Sequence, residues 1–136
     1  YDLTDKHFIF DLIRKIVNAK NGGDEVVLWG DGTQTRELIF IEDAIDIMLI
    51  TMGNIDAPNV CNLSSGKSHS LKTYAKTICD IVDYNYELIK WDTNAFVGSK
   101  NKKLVNTQLK GYKFTPLKKG LKKTIQYYED SISSSK

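Results

Sequence analysis

The segment 26–43 constrains the fold more than any other part of this chain. It contains two short β-prone runs, 26–29 and 37–41, joined by a turn that carries Gly30 and Gly32. Glycine allows such a turn to adopt positive φ or to approach another group closely. A helical pattern starts directly afterwards, at Asp43. The segment therefore predicts two strands joined by a tight turn and followed by a helix.

Two side chains of this segment suggest an anionic ligand that carries a flat ring. The guanidinium of Arg36 can donate to two phosphate oxygens, and the indole of Trp29 can cover a ring face. A simpler interpretation fits as well, in which Trp29 is buried beneath an ordinary hairpin and Arg36 is a surface residue paired with Glu37 or Glu42. The pattern by itself leaves both interpretations open.

The rest of the chain alternates helical and extended patterns, and its 136 residues suffice for one domain with a core. The predicted elements are, in order, a helix from Thr4 to the turn 21–23, the strands 26–29 and 37–41, a helix at 43–51, a strand at 60–63, a helix capped by Ser70, a strand at 86–91, and a helix that starts at Thr115 or Pro116. We expect a single small α/β domain over residues 1–136, with α+β character and about four helices, whose tail frays from about residue 131.

A complete dinucleotide-binding domain is not predicted. That fold carries its glycine fingerprint between a strand and a helix, whereas Gly30 and Gly32 lead into a second strand. The chain starts at Tyr1, within a recognisable pattern, which indicates a piece of a longer polypeptide.

Composition narrows the possible partners. A net charge of +2 is too small to argue for nucleic acid, and no apolar run is long enough to span a membrane. We also expect no signal peptide. Cys61 and Cys79 lie in apolar surroundings, which favours buried thiols of a cytoplasmic protein over a disulfide framework. No group of residues suggests a metal site.

Five segments in order resemble motifs of the extended short-chain dehydrogenase/reductases, the NAD(P)-dependent epimerases, dehydratases and reductases of nucleotide-sugars. Residues 29–43 resemble their W-G-x-G-x-x-x-R-[DE]-F-x-x-V-x-D segment, and residues 62–66 resemble N-x-G-S-G. Residues 102–106 and 111–116 resemble R-K-L-L-D and L-G-[WF]-x-P. The opening, 1–15, is similar to the D-L-x-x-x-H-V-x-x-A-L-I-R-K of the GDP-L-fucose synthase subfamily.

The resemblance implies the C-terminal, substrate-binding part of a GDP-4-keto-6-deoxymannose 3,5-epimerase-4-reductase. NADP would be bound by an N-terminal domain that this sequence lacks, so the chain alone is expected to be inactive. The implied ligand is a GDP-sugar or another nucleotide-sugar, and the full-length protein is implied to be a homodimer in the cytoplasm.

The same resemblance implies roles for individual residues. His7 matches the catalytic histidine, an acid in the epimerisation at sugar carbons 3 and 5, although a helix-start histidine that faces water fits the pattern too. His69 has no counterpart and is expected to be structural, as is Asp43 at a helix start.

Five positions match residues that bind the nucleotide. Arg36 and Lys103 match ligands of the diphosphate, and Trp29 matches a residue beside the nucleotide. Phe8 and Leu12 match positions that line the nucleotide, although a core-facing helix stripe explains them equally well. Lys103 also fits a solvated lysine cluster.

One segment departs from the family pattern. Residues 94–102 stand where the relatives have Ser-Lys-Pro-Asp-Gly-Thr-x-Arg, and this leaves the sugar and the base open. An alternative is therefore a dehydratase, 4-epimerase or 4-reductase that acts on another nucleotide-sugar, such as a GDP-heptose. An alternative of another class is a nucleotide-sugar-binding module without catalysis.

Overall fold

The computed structural model describes residues 7–54, 62–102, 104 and 111–134. Its elements are α1 (Phe8–Lys20), β1 (Val27–Trp29), β2 (Thr35–Glu37), α2 (Ile41–Met52), β3 (Ser68–Ser70), α3 (Leu71–Val82), a 3₁₀ turn (Tyr86–Leu88), β4 (Lys90–Asp92) and α4 (Leu117–Ser133). Short strands among four helices confirm the expected α/β class. No helix in the described ranges is long and apolar enough to cross a lipid bilayer.

Helix α1 follows the predicted apolar stripe and turns it into the core. His7 is its N-cap, with extended backbone angles, and the His7 carbonyl accepts the first helical hydrogen bond from Asp11 N at 3.0 Å. The helix that was predicted from Thr4 is described from Phe8 onward, and Thr4 itself lies outside the described residues. At the other end the helix stops at Asn21, and Gly22 takes a φ of +85°.

The strands form two separate two-stranded sheets. β1 pairs in parallel with β4, and Trp29 stands opposite Asp92. β2 pairs antiparallel with β3, and Arg36 stands opposite His69. The predicted 37–41 strand was placed too late, because the ladder ends where Glu37 meets Ser68 and α2 already starts at Ile41. The sequence pattern also gave no indication of β3.

Two further strand predictions differ from the structure. Over 86–91 the chain first makes a 3₁₀ turn, since the side chain of Asn85 accepts a hydrogen bond from Glu87 N at 3.0 Å, and only then enters β4. Of the predicted strand 60–63, residues 60 and 61 lie outside the described part, and residues 62 and 63 are not in a strand.

The core lies between α1, α3, α4 and the β1–β4 pair. Ser70 caps α3 as predicted, because its Oγ accepts a hydrogen bond from Thr73 N at 3.1 Å. Helix α4 starts after Pro116 and reaches Ser133, further into the tail than expected. The side chains that fill the centre are buried and mostly apolar: Leu12, Ile13, Ile16, Val17, Val26, Leu28, Tyr74, Ala75, Ile78, Cys79, Val82, Ile89, Leu121 and Ile125.

Asp43 connects α2 to the start of α4. Its buried carboxylate accepts hydrogen bonds from the backbone N and the Oγ1 of Thr115, both at 2.8 Å. Asp43 therefore has two structural positions: it stands in the first turn of α2, and it holds the chain just before α4.

Candidate functional site

A cleft of about 460 Å³ opens where α1 faces the end of β1 and the start of β2. This volume is in the range of small-molecule binding sites. The residues that line it are Phe8, Asp11, Leu12, Arg14, Lys15, Leu28, Trp29, Gln34, Arg36, Leu71, Phe96 and Val97. Four segments distant in sequence therefore contribute to one concave surface.

The fold brings together four of the six predicted site residues. Phe8 and Leu12 come from α1, Trp29 ends β1, and Arg36 lies in β2. Leu12 is also part of the core, with 3% of its surface exposed. His7 adjoins Phe8 at the start of α1 but is not among the residues that line the cleft, and Lys103 lies outside the described residues.

Trp29 is 60% exposed, so the interpretation of a tryptophan buried beneath the hairpin is wrong. Its backbone is nevertheless firmly held. The carbonyl of Trp29 accepts a hydrogen bond at 3.0 Å from Nε2 of Gln34, a side chain that is itself buried. Directly after it, Gly30 has a φ of +81° and donates its N–H to the carbonyl of Asp92 at 2.7 Å. A fixed backbone therefore presents an exposed indole.

Arg36 is half-buried and does not form the alternative surface pair. Within the described residues, Glu42 pairs with Lys123 at 2.7 Å, while Glu37 binds the loop that follows Leu63. Among the described residues, the Arg36 guanidinium donates to the carbonyl of Thr35 at 2.7 Å, and a guanidinium carries five N–H donors in all. The Arg36 carbonyl accepts a hydrogen bond from Tyr74 Oη at 3.0 Å, which ties β2 to α3.

Arg36 also lines a second concavity of about 540 Å³. The other lining residues are Glu37, Ile39, Leu63, Asn101, Lys102 and Leu104. Arg36 therefore stands between two cavities and can contact a ligand that extends from one to the other.

The positive charge of the cleft is larger than the sequence suggested. Asp11 pairs with Arg14 at 2.6 Å and with Lys15 at 3.0 Å, so two cations of α1 join Arg36 on the cleft wall against one carboxylate. Partial burial works to raise the pKa of Asp11, but the hydrogen bonds from Arg14 and Lys15 outweigh it and lower that pKa. Sequence reasoning missed these residues, although their i, i+3 and i+4 spacing places them on one helix face.

Glu37 organises the rim of the second cavity. Its Oε1 accepts hydrogen bonds from Ser64 Oγ at 2.7 Å, Ser65 Oγ at 3.1 Å and Gly66 N at 2.8 Å. Burial opposes ionisation, yet these three donors lower the pKa of Glu37. The carboxylate is thus charged near neutral pH and holds the 64–66 loop against β2.

The described residues do not fit a dinucleotide cofactor. The Gly30–Gly32 turn leads into β2, so it presents no helix N-terminus to the phosphates of NADP. Nor do three His, Cys, Asp or Glu side chains in the described ranges come together as a metal site. His69 lies in β3, where its ring contacts Tyr74 edge-on at 5.8 Å between centroids.

Comparisons with known proteins find similar sequences over most of this chain. The family model of the NAD dependent epimerase/dehydratase family matches residues 1–64. GDP-L-colitose synthase of Yersinia pseudotuberculosis is 32% identical over 133 residues, which cover 94% of this chain and 43% of that protein. A putative GDP-L-fucose synthase 2 of Arabidopsis thaliana is 30% identical over 134 residues, 96% of this chain and 40% of that protein.

Solved structures show the same fold. A GDP-L-fucose synthetase from Naegleria fowleri superposes with a TM-score of 0.82 at 24% identity, over 97% of this chain and 42% of that one. A UDP-N-acetylglucosamine 4-epimerase from Methanobrevibacter ruminantium superposes with a TM-score of 0.76 at 20% identity, over 92% of this chain and 40% of that one.

The chain is therefore similar to proteins of the NAD-dependent epimerase/dehydratase family. Its relatives include GDP-L-fucose synthases and a GDP-L-colitose synthase, and it spans about two fifths of their length, matching their C-terminal part.

Proposed function

We propose that the cleft binds the nucleoside diphosphate of a GDP-sugar, and that the complete enzyme is an NADP-dependent epimerase/reductase similar to GDP-L-fucose synthase. The observation that carries the proposal is the meeting of an exposed indole, Trp29, and a guanidinium, Arg36, in one cleft. The names of the relatives support a GDP-linked substrate.

The cleft offers cationic side chains for the diphosphate and apolar side chains for the nucleoside. A diphosphate needs at least partial neutralisation, which Arg36 supplies through a bidentate fork and Lys15 as a point charge. Lys103 would add a further cation. The nucleobase or ribose would lie on the Trp29 indole, with Phe8 and Leu12 as the apolar floor.

His7 is the proposed acid for epimerisation next to the 4-keto group. Enolisation there requires a proton donor that is active near neutral pH, and imidazole is the side chain whose ordinary pKa suits this. His7 lies at the N-cap of α1, one residue before Phe8 in the cleft wall. A sugar that extends from a diphosphate on Arg36 toward the start of α1 would approach it.

The remaining features of the complete enzyme are part of the same proposal. NADP would be held by a dinucleotide-binding part outside this chain, as would the homodimer interface, and the chain alone would be inactive. A related Naegleria fowleri structure is bound to NADP, which supports the coenzyme. The buried free thiol of Cys79 suits the reducing cytoplasm, where we place the enzyme.

Substitution of Arg36 tests the diphosphate site. We expect Arg36→Ala to weaken GDP binding by about 2 kcal/mol, roughly 30-fold, because charge-assisted hydrogen bonds are lost. Isothermal titration calorimetry gives the affinity. Lys122→Ala, which removes one exposed charge from α4 outside the cleft, is the matched control and should leave it unchanged. An equal effect of both variants, or none from Arg36→Ala, would contradict the proposed site.

Substitution of His7 tests the chemistry. In the complete enzyme, with NADPH and GDP-4-keto-6-deoxymannose, His7→Gln should reduce C3/C5 inversion by at least about 100-fold, the low end of general acid–base contributions. GDP affinity should stay within about twofold, which separates a catalytic role from a binding role. Unchanged product stereochemistry and rate would remove His7 from the mechanism, and coenzyme that is never oxidised by the unaltered enzyme would favour the non-catalytic binding module.

A further inference from the structure

An exposed phenylalanine stands at the cleft beside the exposed tryptophan. Phe96 has 85% of its surface exposed, yet it lines the same cleft as Trp29. Soluble proteins place isolated apolar residues on their surfaces, but two exposed aromatic rings on one concave site are typical of binding sites for flat ligands. Phe96 falls in the segment 94–102 that departs from the family pattern, so the resemblance assigns it no role.

The loop that carries Phe96, residues 93–100, is fastened at both ends. At its start, Asp92 accepts hydrogen bonds from Asn94 N at 3.0 Å through Oδ1 and from Gly30 N at 2.7 Å through its carbonyl. At its end, the carbonyl of Lys100 accepts from Thr35 N at 2.8 Å, and Asn101 Oδ1 accepts from Thr35 Oγ1 at 2.9 Å. The loop therefore crosses the β1–β2 turn as a strap with fixed anchor points.

Between these anchors the strap lies directly on the turn. A Cβ on Gly30 would come within 2.4 Å of Val97 Cγ1, so only glycine permits this approach at that position. Trp29 precedes Gly30, and Phe96 precedes Val97. The close approach of Gly30 to Val97 thus brings the chain positions that carry Trp29 and Phe96 next to each other, and both residues line the cleft.

We infer that Phe96 is the second aromatic face of the ligand site, and that a nucleobase is held between Phe96 and Trp29 while its diphosphate extends toward Arg36. The inference rests on the proposed function and deepens it. Stacking between two rings stabilises the binding of any flat base, because every base has a π-face. The charge of Arg36, by contrast, recognises only the diphosphate. Phe96 should therefore affect ligands that carry a base and leave base-free diphosphate unaffected.

Two probes separate these contributions: GDP, and inorganic pyrophosphate, which lacks the base. By calorimetry with the whole chain, Phe96→Ala should weaken GDP about tenfold, the lower part of the range for loss of one stacked aromatic, and leave pyrophosphate within about twofold. Phe96→Tyr retains the flat ring and should keep GDP within about twofold of the original chain. Leu88→Ala, at an exposed apolar residue outside the cleft, is the control and should change neither affinity.

Each other outcome has a distinct meaning. If the original chain binds GDP and Phe96→Ala binds it equally well, the stacking role is overturned while the proposed function stands. If Phe96→Ala weakens GDP and pyrophosphate equally, the strap acts on the diphosphate site, and the stacking role again fails. If the original chain binds neither probe, the proposed function fails and the inference fails with it.

Discussion

Helices α1 and α2 are both rich in apolar residues, yet they use them differently. In α1 the apolar stripe faces inward, and Ile16 has none of its surface exposed, while Asp11, Arg14 and Lys15 occupy the outer side. In α2 only Ala44 and Ile47 of the apolar residues are buried. A second apolar stripe at helical spacing is exposed on α2: Ile41, Ile45, Met48, Leu49 and Met52.

The difference shows that apolar content alone does not determine where a helix packs. An amphipathic helix with one charged face, like α1, is typical of a position at the edge of a core. A helix that is apolar on several sides is typical of packing on more than one side, and the described residues cover one side of α2. Large-to-small substitutions in the buried stripe of α1 and in the exposed stripe of α2 should therefore lower the free energy of unfolding by unequal amounts.

The largest expected effect is at the centre of the α1 stripe. Ile16→Ala removes a fully buried side chain between α1 and α3 and should lower the free energy of unfolding by about 3 kcal/mol, from lost transfer energy and the cavity left behind. Urea denaturation followed by circular dichroism measures the change. A loss below about 1 kcal/mol would show that the α1 stripe is no better packed than that of α2.

The smallest expected effect is on the outer stripe of α2. Leu49 is 62% exposed, so Leu49→Ala should change the free energy of unfolding by no more than about 0.5 kcal/mol, because little apolar surface returns to water and alanine favours the helix. The same urea titration applies. A loss that approaches that of Ile16→Ala would mean that Leu49 is buried in the folded protein, and the contrast between the helices would disappear.

Local structure was largely predictable because it depends on neighbours in sequence. The apolar spacing of α1, the Ser70 cap of α3 and the start of α4 after Pro116 were all readable from the chain. The strands were harder to predict from the sequence. β3 consists of Ser68, His69 and Ser70, residues without a strand pattern, and it exists because β2 lies beside it.

The residues of the candidate site also fall into two groups, those that the sequence indicated and those that it did not. Trp29 and Arg36 could be singled out from their motif, and the structure places them in one cleft. Lys15 and Phe96 were missed, since neither lies in a pattern that marks a ligand. They belong to the cleft only because α1 and the 93–100 strap fold against the β1–β2 turn.

The sequence by itself determined the helices and the glycine turn, because each depends on residues a few positions apart. Its motifs, taken in order along the chain, also carried the resemblance to the epimerases, dehydratases and reductases of nucleotide-sugars. The tertiary structure alone decided that Trp29 is exposed, that the outer stripe of α2 is uncovered and that Phe96 stands at the cleft. These features depend on contacts such as that between Thr35 and Asn101, 66 residues apart, whose formation requires the whole chain to fold.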